Sequence, residues 1–366
     1  MLLVSLLAGL GAWRVAGAPR RGVAAASWRA TDVRIVERPR GFAVLVLERQ
    51  RMDQAGRLVL HRLDDKLAQR QRPRVIGAGV AAFDAAAATA RQAIGVGWIG
   101  ADKALYFDVL AAARGLSARA PIDHEVWSPR VRWSGRDFVL AWIATRDGVR
   151  SVRAEANGKL RGAARTLAGN AGVHMTGYLG LAARGDELVV SYATYDIYPY
   201  RASAYDADLS LAHLVGDKLT HVHVGSYRNT PSFGDSTVAR AADGWLVGWE
   251  VGRAVGLARY AGGKVTPLRF RGGQDEQAGG PELLRVDGGF ALAHSDGRSA
   301  RVARLDEAAR QTAATRLSAR HVGDVSLAAG DDARVALAFA QHGAVELALL
   351  GSDGEVERRV RLPAGR

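Results

Sequence analysis

Cysteine is absent from the 366 residues. Its absence excludes disulfides, thiolate metal sites, a lipidated cysteine and a thiol nucleophile. Lysine is scarce: of 50 basic residues only Lys66, Lys103, Lys159, Lys218 and Lys264 are lysines, so arginine carries the formal charge of +13. No long basic run occurs. Arginines and carboxylates are interspersed, as at Arg146, Asp147 and Arg150 or Arg301, Arg304 and Asp306. The richer stretches Arg38-Pro39-Arg40, Arg70–Arg74 and Arg358–Arg361 are interrupted in the same way. This is the pattern of solvated faces, and it disfavours nucleic acid and other polyanions as partners. Helix signals are nearly missing, and no phosphate-binding loop, dinucleotide fingerprint or nucleophile elbow is found.

Long apolar runs are missing too. Residues 1–18 form the longest one, too short to span a bilayer comfortably. They resemble the apolar core of a secretory signal, with small-residue cleavage sites at Ala16-Gly17-Ala18 and Ala24-Ala25-Ala26. Pro19 favours the second site. Residues 1–27 are therefore read as a signal peptide or N-terminal apolar segment, and the expected location is periplasmic or extracellular. The basic start of a signal is lacking, which leaves an N-terminal anchor open.

What is present is a repeat. Phe138-Val139-Leu140-Ala141-Trp142 recurs as Phe42–Val46, Ile94–Trp98, Leu188–Tyr192, Trp245–Trp249, Phe290–His294 and Val335–Phe339, at start-to-start spacings of 44–57 residues. Positions one, three and five are large, and two and four are mostly small, as in Gly95/Gly97 and Ala336/Ala338. A period of two with no charge on either face describes a strand buried on both sides, whose small face lets another sheet approach closely. His294 holds the fifth, aromatic position and is read as core.

Turns repeat in step with the strand. Around 128–168, Ser134-Gly135-Arg136-Asp137, Arg146-Asp147-Gly148 and Asn157-Gly158 separate four strands. The third turn recurs at Asp64-Asp65-Lys66-Leu67 and Gly262-Gly263-Lys264-Val265, with a variant at Gly351–Val356. Seven such units predict an all-β fold, a β-propeller of seven four-stranded blades at about 32–76, 78–121, 127–168, 175–216, 233–268, 280–318 and 323–364. A tandem of β-sandwiches is the rival architecture. The last unit holds all four of its own strands, so ring closure is expected to rest on packing, with or without help from residues 28–31. The Trp-ended second strand after Gly-x-x-Phe, followed by Asp/Asn-Gly turns, resembles the degenerate propeller repeats of secreted bacterial proteins over residues 28–364. The resemblance implies a fold class and no activity, because signatures of named propeller classes are missing.

Chain direction places the strand 2–3 loops and the connections between units on one face, and the other turns on the opposite face. The least regular segments share the first face: Gly172–Met175, Ala193–Arg201, His221–Pro231 and Arg269–Glu276. They offer His174, Tyr195, Asp196, Tyr198, His221, His223, Tyr227, Arg228, Asp275 and Glu276 as candidate ligand contacts. His221 and His223 alternate along the chain and are weak metal candidates lacking a clear third ligand, so no metal and no cofactor is expected. Asp196 with Asp235 or Glu276 would suit acid/base cleavage of a glycoside only at a defined separation. These residues favour a non-catalytic binding or scaffold propeller presenting an aromatic and histidine-rich rim to a protein or glycan. The alternative is a saccharide hydrolase or lyase using carboxylates or a histidine-bound metal on that face.

Overall fold

Every copy of the five-residue motif forms the second strand of an antiparallel meander. The computed structural model describes residues 28–88, 90, 92–110, 115–117, 120–169, 174–196, 205–230, 233–252, 254–270, 279–296, 298–318 and 322–363. The segment 1–27 and its cleavage sites lie outside them. The first sheet runs in chain order through β1 (Arg29–Arg38), β2 (Gly41–Arg49), β3 (Gly56–Leu63), β4 (Arg74–Ala88), β5 (Ala93–Gly100) and β6 (Leu105–Leu110). The next contains β7 (Val126–Trp133), β8 (Phe138–Ala144), β9 (Gly148–Ala154) and β10 (Leu160–Ala168). Then come β11 (His174–Arg184), β12 (Glu187–Asp196), β13 (Tyr205–Val215) and β14 (Lys218–Thr230), followed by β15 (Phe233–Ala241), β16 (Gly244–Val251), β17 (Ala254–Ala261) and β18 (Lys264–Leu268). The last two are β19 (Gly279–Val286), β20 (Gly289–Ser295), β21 (Ser299–Asp306) and β22 (Gln311–Ser318), and β23 (Val322–Ala329), β24 (Val335–Gln341), β25 (Ala344–Leu350) and β26 (Val356–Leu362). No helix among the described residues is long and apolar enough to cross a membrane.

The expected seven four-stranded blades are corrected to six, five of four strands and a first one of six. The reason is β4. Its first half pairs with β3 (Leu60↔Arg74 to Gly56↔Val80) and its second half with β5 (Val80↔Gly100 to Ala88↔Ala93). One continuous strand thus joins the intervals 32–76 and 78–121, where a connecting loop was expected. Gly79, at φ +70°, supplies the left-handed residue where the strand passes from one partner to the other.

The two faces of the motif then stack in one sense around the ring. Phe138 and Leu140 of β8 cluster with Phe107 and Ile99 of the preceding sheet, and Trp245, Val247 and Trp249 with Val189 and Ala193. Phe290 and Leu292 meet Leu246, and Leu337 and Phe339 meet Ala291 and Ala293. Closure repeats the rule: Phe42, Val44 and Val46 pack on Ala336 and Ala338 of β24. Small residues are required there. A Cβ on Gly95 would stand 2.7 Å from the Phe138 ring, and one on Gly97 2.9 Å from Val131. His294 is buried, as its place in the motif predicts, and burial with the nearby Arg301 charge lowers its imidazole to about 4.

The inner wall has seven strand segments, two of them from the six-stranded first sheet: β1 and the second half of β4, then β7, β11, β15, β19 and β23, each packed on the next, with β23 against β1. Each of these strands carries a register irregularity, near the end where the chain arrives at the axis in most of them. Side chains bridge the wall between strands. Ser326 Oγ accepts from Ile35 N (3.1 Å), Asp84 Oδ2 from Val131 N (2.8 Å), and Ser128 Oγ from Leu179 N (2.9 Å). Ser236 Oγ accepts from Gly180 N (3.1 Å) and Thr237 Oγ1 from Leu283 N (3.0 Å). Each satisfies a backbone donor that is buried where no strand ladder reaches it.

Asp84→Ala removes the buried partner of two arginines and is expected to destabilise by about 3–5 kcal/mol. Ser326→Ala orphans one buried N–H at the closure and is expected to cost about 1–3 kcal/mol. Urea unfolding of both variants checks the order; losses below 0.5 kcal/mol in both (roughly the range of neutral surface changes) would show that these bridges do not hold the ring.

Candidate functional site

Of the rim residues singled out from the sequence, Tyr198, Asp275 and Glu276 lie outside the described residues. His174 and Tyr195 are cross-strand partners on β11 and β12, and Asp196 stands opposite Asp206 on β13. His221 and His223 occupy the outermost strand of their blade, β14, paired with Ala212 and Ser210. Both are exposed. His221 Nδ1 lies 3.3 Å from the Tyr192 hydroxyl and His223 Nε2 lies 3.2 Å from Ser226 Oγ. Tyr227 packs on Trp249 with ring centroids 6.2 Å apart, and burial pushes its phenol up to about 12. Arg228 pairs with Asp206 at 3.2 Å. The structure thus joins His174 with Tyr195 and sets the two imidazoles on the outer edge of the blade. No group of three His, Asp or Glu side chains is placed to hold a metal among the described residues.

Two constellations that sequence reasoning missed are better formed. The first lies on the axis. Arg34 donates from Nε to Asp84 Oδ1 (2.9 Å) and from Nη1 to Asp32 Oδ1 (3.0 Å), while Arg132 Nη1 reaches Asp84 Oδ2 (3.0 Å). Arg130 Nε donates to Leu179 O (2.6 Å). Asp235, Glu282 and Asp324, from β15, β19 and β23, line the rest of a small cavity of about 30 Å³. Burial disfavours ionised Asp84, but Arg132, Arg34, Arg130 and the Val131 N–H outweigh it and hold the carboxyl below its ordinary range. Asp32 goes the other way. Burial raises it to about 6, opposed by Arg34 and helped by the like charge of Asp324. Glu282 is also raised by burial. The arginines are committed to these partners, so the cluster reads as an ionic lock.

The second lies between the β11–β14 and β15–β18 blades, on the face of the strand 1–2 and 3–4 turns, opposite to the face expected to bind. Glu187 opens β12 and its carboxylate organises the site. Glu187 Oε1 lies 2.9 Å from His213 Nε2 and accepts from Trp245 Nε1 at 3.3 Å. His213 Nδ1 lies 2.8 Å from the Tyr260 hydroxyl, with the two rings edge to face. Burial, then the Glu187 charge, raises the Tyr260 phenol. These groups floor a groove of about 1110 Å³ whose rim carries Arg184, Val215, Lys218, Thr220, Arg240 and Asp243. Trp245 and Tyr260 are each 3% exposed. They act as a rigid floor, and the accessible chemistry is that of the Glu187–His213 pair and the rim. Trp245 is the signal that was there to find: it puts an indole N–H at the first position of the motif, where the other copies have Phe, Leu, Ile or Val.

No protein-family model and no curated protein sequence matches the chain. Solved structures do resemble it in fold. The BP39L lectin of Burkholderia pseudomallei aligns over 92% of this chain and 99% of its own, with a TM-score of 0.68 at 12% identity. The Aleuria aurantia lectin, a six-bladed β-propeller with a described fucose recognition mode, aligns over 78% and 95% with a TM-score of 0.53 at 10% identity. The β-propeller domain of the Trilobed protease from Pyrococcus furiosus aligns over 90% and 97%, with a TM-score of 0.54 at 12% identity. At such identities the likeness is one of fold, and it establishes the β-propeller.

The axial lock has a pH signature. Asp32 titrates at its ordinary 3.8 in the unfolded chain and at about 6 in the fold. Between those values the folded state holds the extra proton, so stability falls as pH rises through the window and stays lower above it. Asp32→Asn cannot titrate. Its melting temperature relative to the parent protein is expected to grow more favourable from pH 4 to pH 7, and a constant difference across that range would rule the assignment out.

Proposed function

We propose that this chain is a saccharide-binding propeller whose ligand seats in the groove between the β11–β14 and β15–β18 blades. The observation that carries the reading is the Glu187–His213–Tyr260 relay, with Trp245 on the same carboxylate oxygen, at the floor of an open groove. A carboxylate and an imidazole held still by neighbours offer preformed acceptors and donors for sugar hydroxyls. Little side-chain entropy is lost when they engage a ligand. That lectins share this fold supports the reading without fixing the sugar.

Binding rather than cleavage is the role proposed for the groove. Its two carboxylates are both engaged: Glu187 by His213 and Trp245, and Asp243 by two contacts from Arg259 at 3.1 and 3.2 Å. Neither stands as a free acid poised opposite a free base. The apolar segment at 1–18 motivates the further proposal that the protein works outside the cytoplasm.

A glycan array followed by calorimetry on the best binder tests the function. Glu187→Gln is expected to weaken binding by about 10- to 100-fold. Glu187 is partly exposed, and the expected change in melting temperature is small, a few degrees at most. Absence of any glycan binding by the parent protein would refute the function, and unchanged affinity in Glu187→Gln would refute the site.

A further inference from the structure

The rim of the groove carries more positive charge than its own carboxylates use. Arg184 ends β11, Lys218 opens β14 and Arg240 lies near the end of β15, three separate strands that converge on one opening. All three side chains are exposed, and none has a carboxylate partner among the described residues. The acids of the same groove are taken, Glu187 by His213 and Asp243 by Arg259. Elsewhere the arginines of this chain commonly pair with a neighbour, as Arg136 does with Asp186, Arg228 with Asp206 and Arg310 with Asp306. At the groove rim three cations from three strands lack such a pairing together.

Resting on the saccharide reading above, we infer that the groove selects acidic saccharides, with a carboxylate or sulfate seated among Arg184, Lys218 and Arg240. Arginine presents a planar fork that matches either oxyanion in two-point contact, and lysine adds a compact charge of adjustable reach. The three side chains are long and exposed, so they can turn from three strands toward one anion held over the groove. Val215, 51% exposed on the same rim, gives an apolar edge beside the charge. That mixture suits a sugar ring bearing one acidic substituent. It suits a nucleic acid less, because Trp245 and Tyr260 are covered and offer no open ring face on which bases stack. The net charge of the whole chain acts in the same direction by drawing acidic ligands to the surface.

The test is an array of neutral, carboxylated and sulfated oligosaccharides, with a poly-dT oligonucleotide included, read for the parent protein and two variants. Arg184→Gln/Lys218→Gln/Arg240→Gln clears the rim. Arg72→Gln/Arg146→Gln removes two exposed charges far from the groove in the chain and serves as the control for overall charge. Binders are expected among the carboxylated or the sulfated glycans, and the two sets separate which oxyanion is preferred. The rim variant should lose tenfold or more on those glycans and the control less than twofold. Raising sodium chloride from 50 to 500 mM should weaken the parent and leave the rim variant nearly unchanged. Preference for neutral glycans with the rim variant unaffected would overturn this inference and leave the saccharide function standing. Preference for poly-dT, or no glycan binding at all, would overturn both.

Discussion

The interaction on which the rest depends is the seating of three large side chains of one second strand against small residues of the strand before it. Phe138, Leu140 and Trp142 are all but inaccessible, and Gly95 stands where any Cβ would meet the Phe138 ring. The contact has a direction, because each sheet offers a large face to one side and a small face to the other. A stack built this way always has two unsatisfied ends unless it closes on itself. Phe42, Val44 and Val46 meeting Ala336 and Ala338 is that closure. It requires no exchanged strand, and the last blade accordingly keeps β23, β24, β25 and β26, all from its own segment.

Closing the ring brings inner strands together at the axis, where they pack side by side without a hydrogen-bond ladder between neighbours. Serine, threonine and aspartate take over that task, from Ser128 and Ser236 to Ser326. Asp84 is the extreme case: one carboxylate serves Arg34, Arg132 and the Val131 N–H at once. Burying charge is costly unless each group is paired, and these are. The opposite directions in which Asp84 and Asp32 are pushed follow from this arrangement. Asp84 sits between two guanidinium groups, whereas Asp32 has one, shared, and faces Asp324.

The sequence exposed the strand that repeats, its two faces, the turns in step with it and the burial of His294, because these are written in a period of two and in Gly and Asp. It concealed the unity of β4. The boundary expected between 76 and 78 falls inside that strand, where Gly79 lets it continue through the bend, so seven motif copies yield six sheets. It also concealed the groove, for a related reason. Irregular loops drew attention to the opposite face, while Glu187, His213, Trp245 and Tyr260 stand at regular positions in well-formed strands. Their meeting depends on which blades are neighbours and on which strand ends share a level, and a linear pattern carries neither directly.

The scaffold makes a groove of this kind at more than one interface, and the residues at the strand ends decide what it becomes. At the closure, the corresponding position below Phe42 is lined by Glu37, Arg38, Asp65, Asp331 and Arg334, and the space is about 250 Å³. There Arg334 is held by the Asp331 carbonyl and by Glu357, and Glu37 is raised by burial and then by the Asp331 charge. The acids outnumber the arginines, Arg334 is occupied, and Phe42 offers no polar atom. Replace Phe with Trp245, bring in Glu187 to meet its N–H, set His213 between that carboxylate and Tyr260, and leave the rim arginines unpaired. The same structural position then becomes a larger, cationic groove with a preorganised polar floor. The polar character of each groove is therefore set by a handful of strand-end residues on a ring whose packing rule is the same at both interfaces.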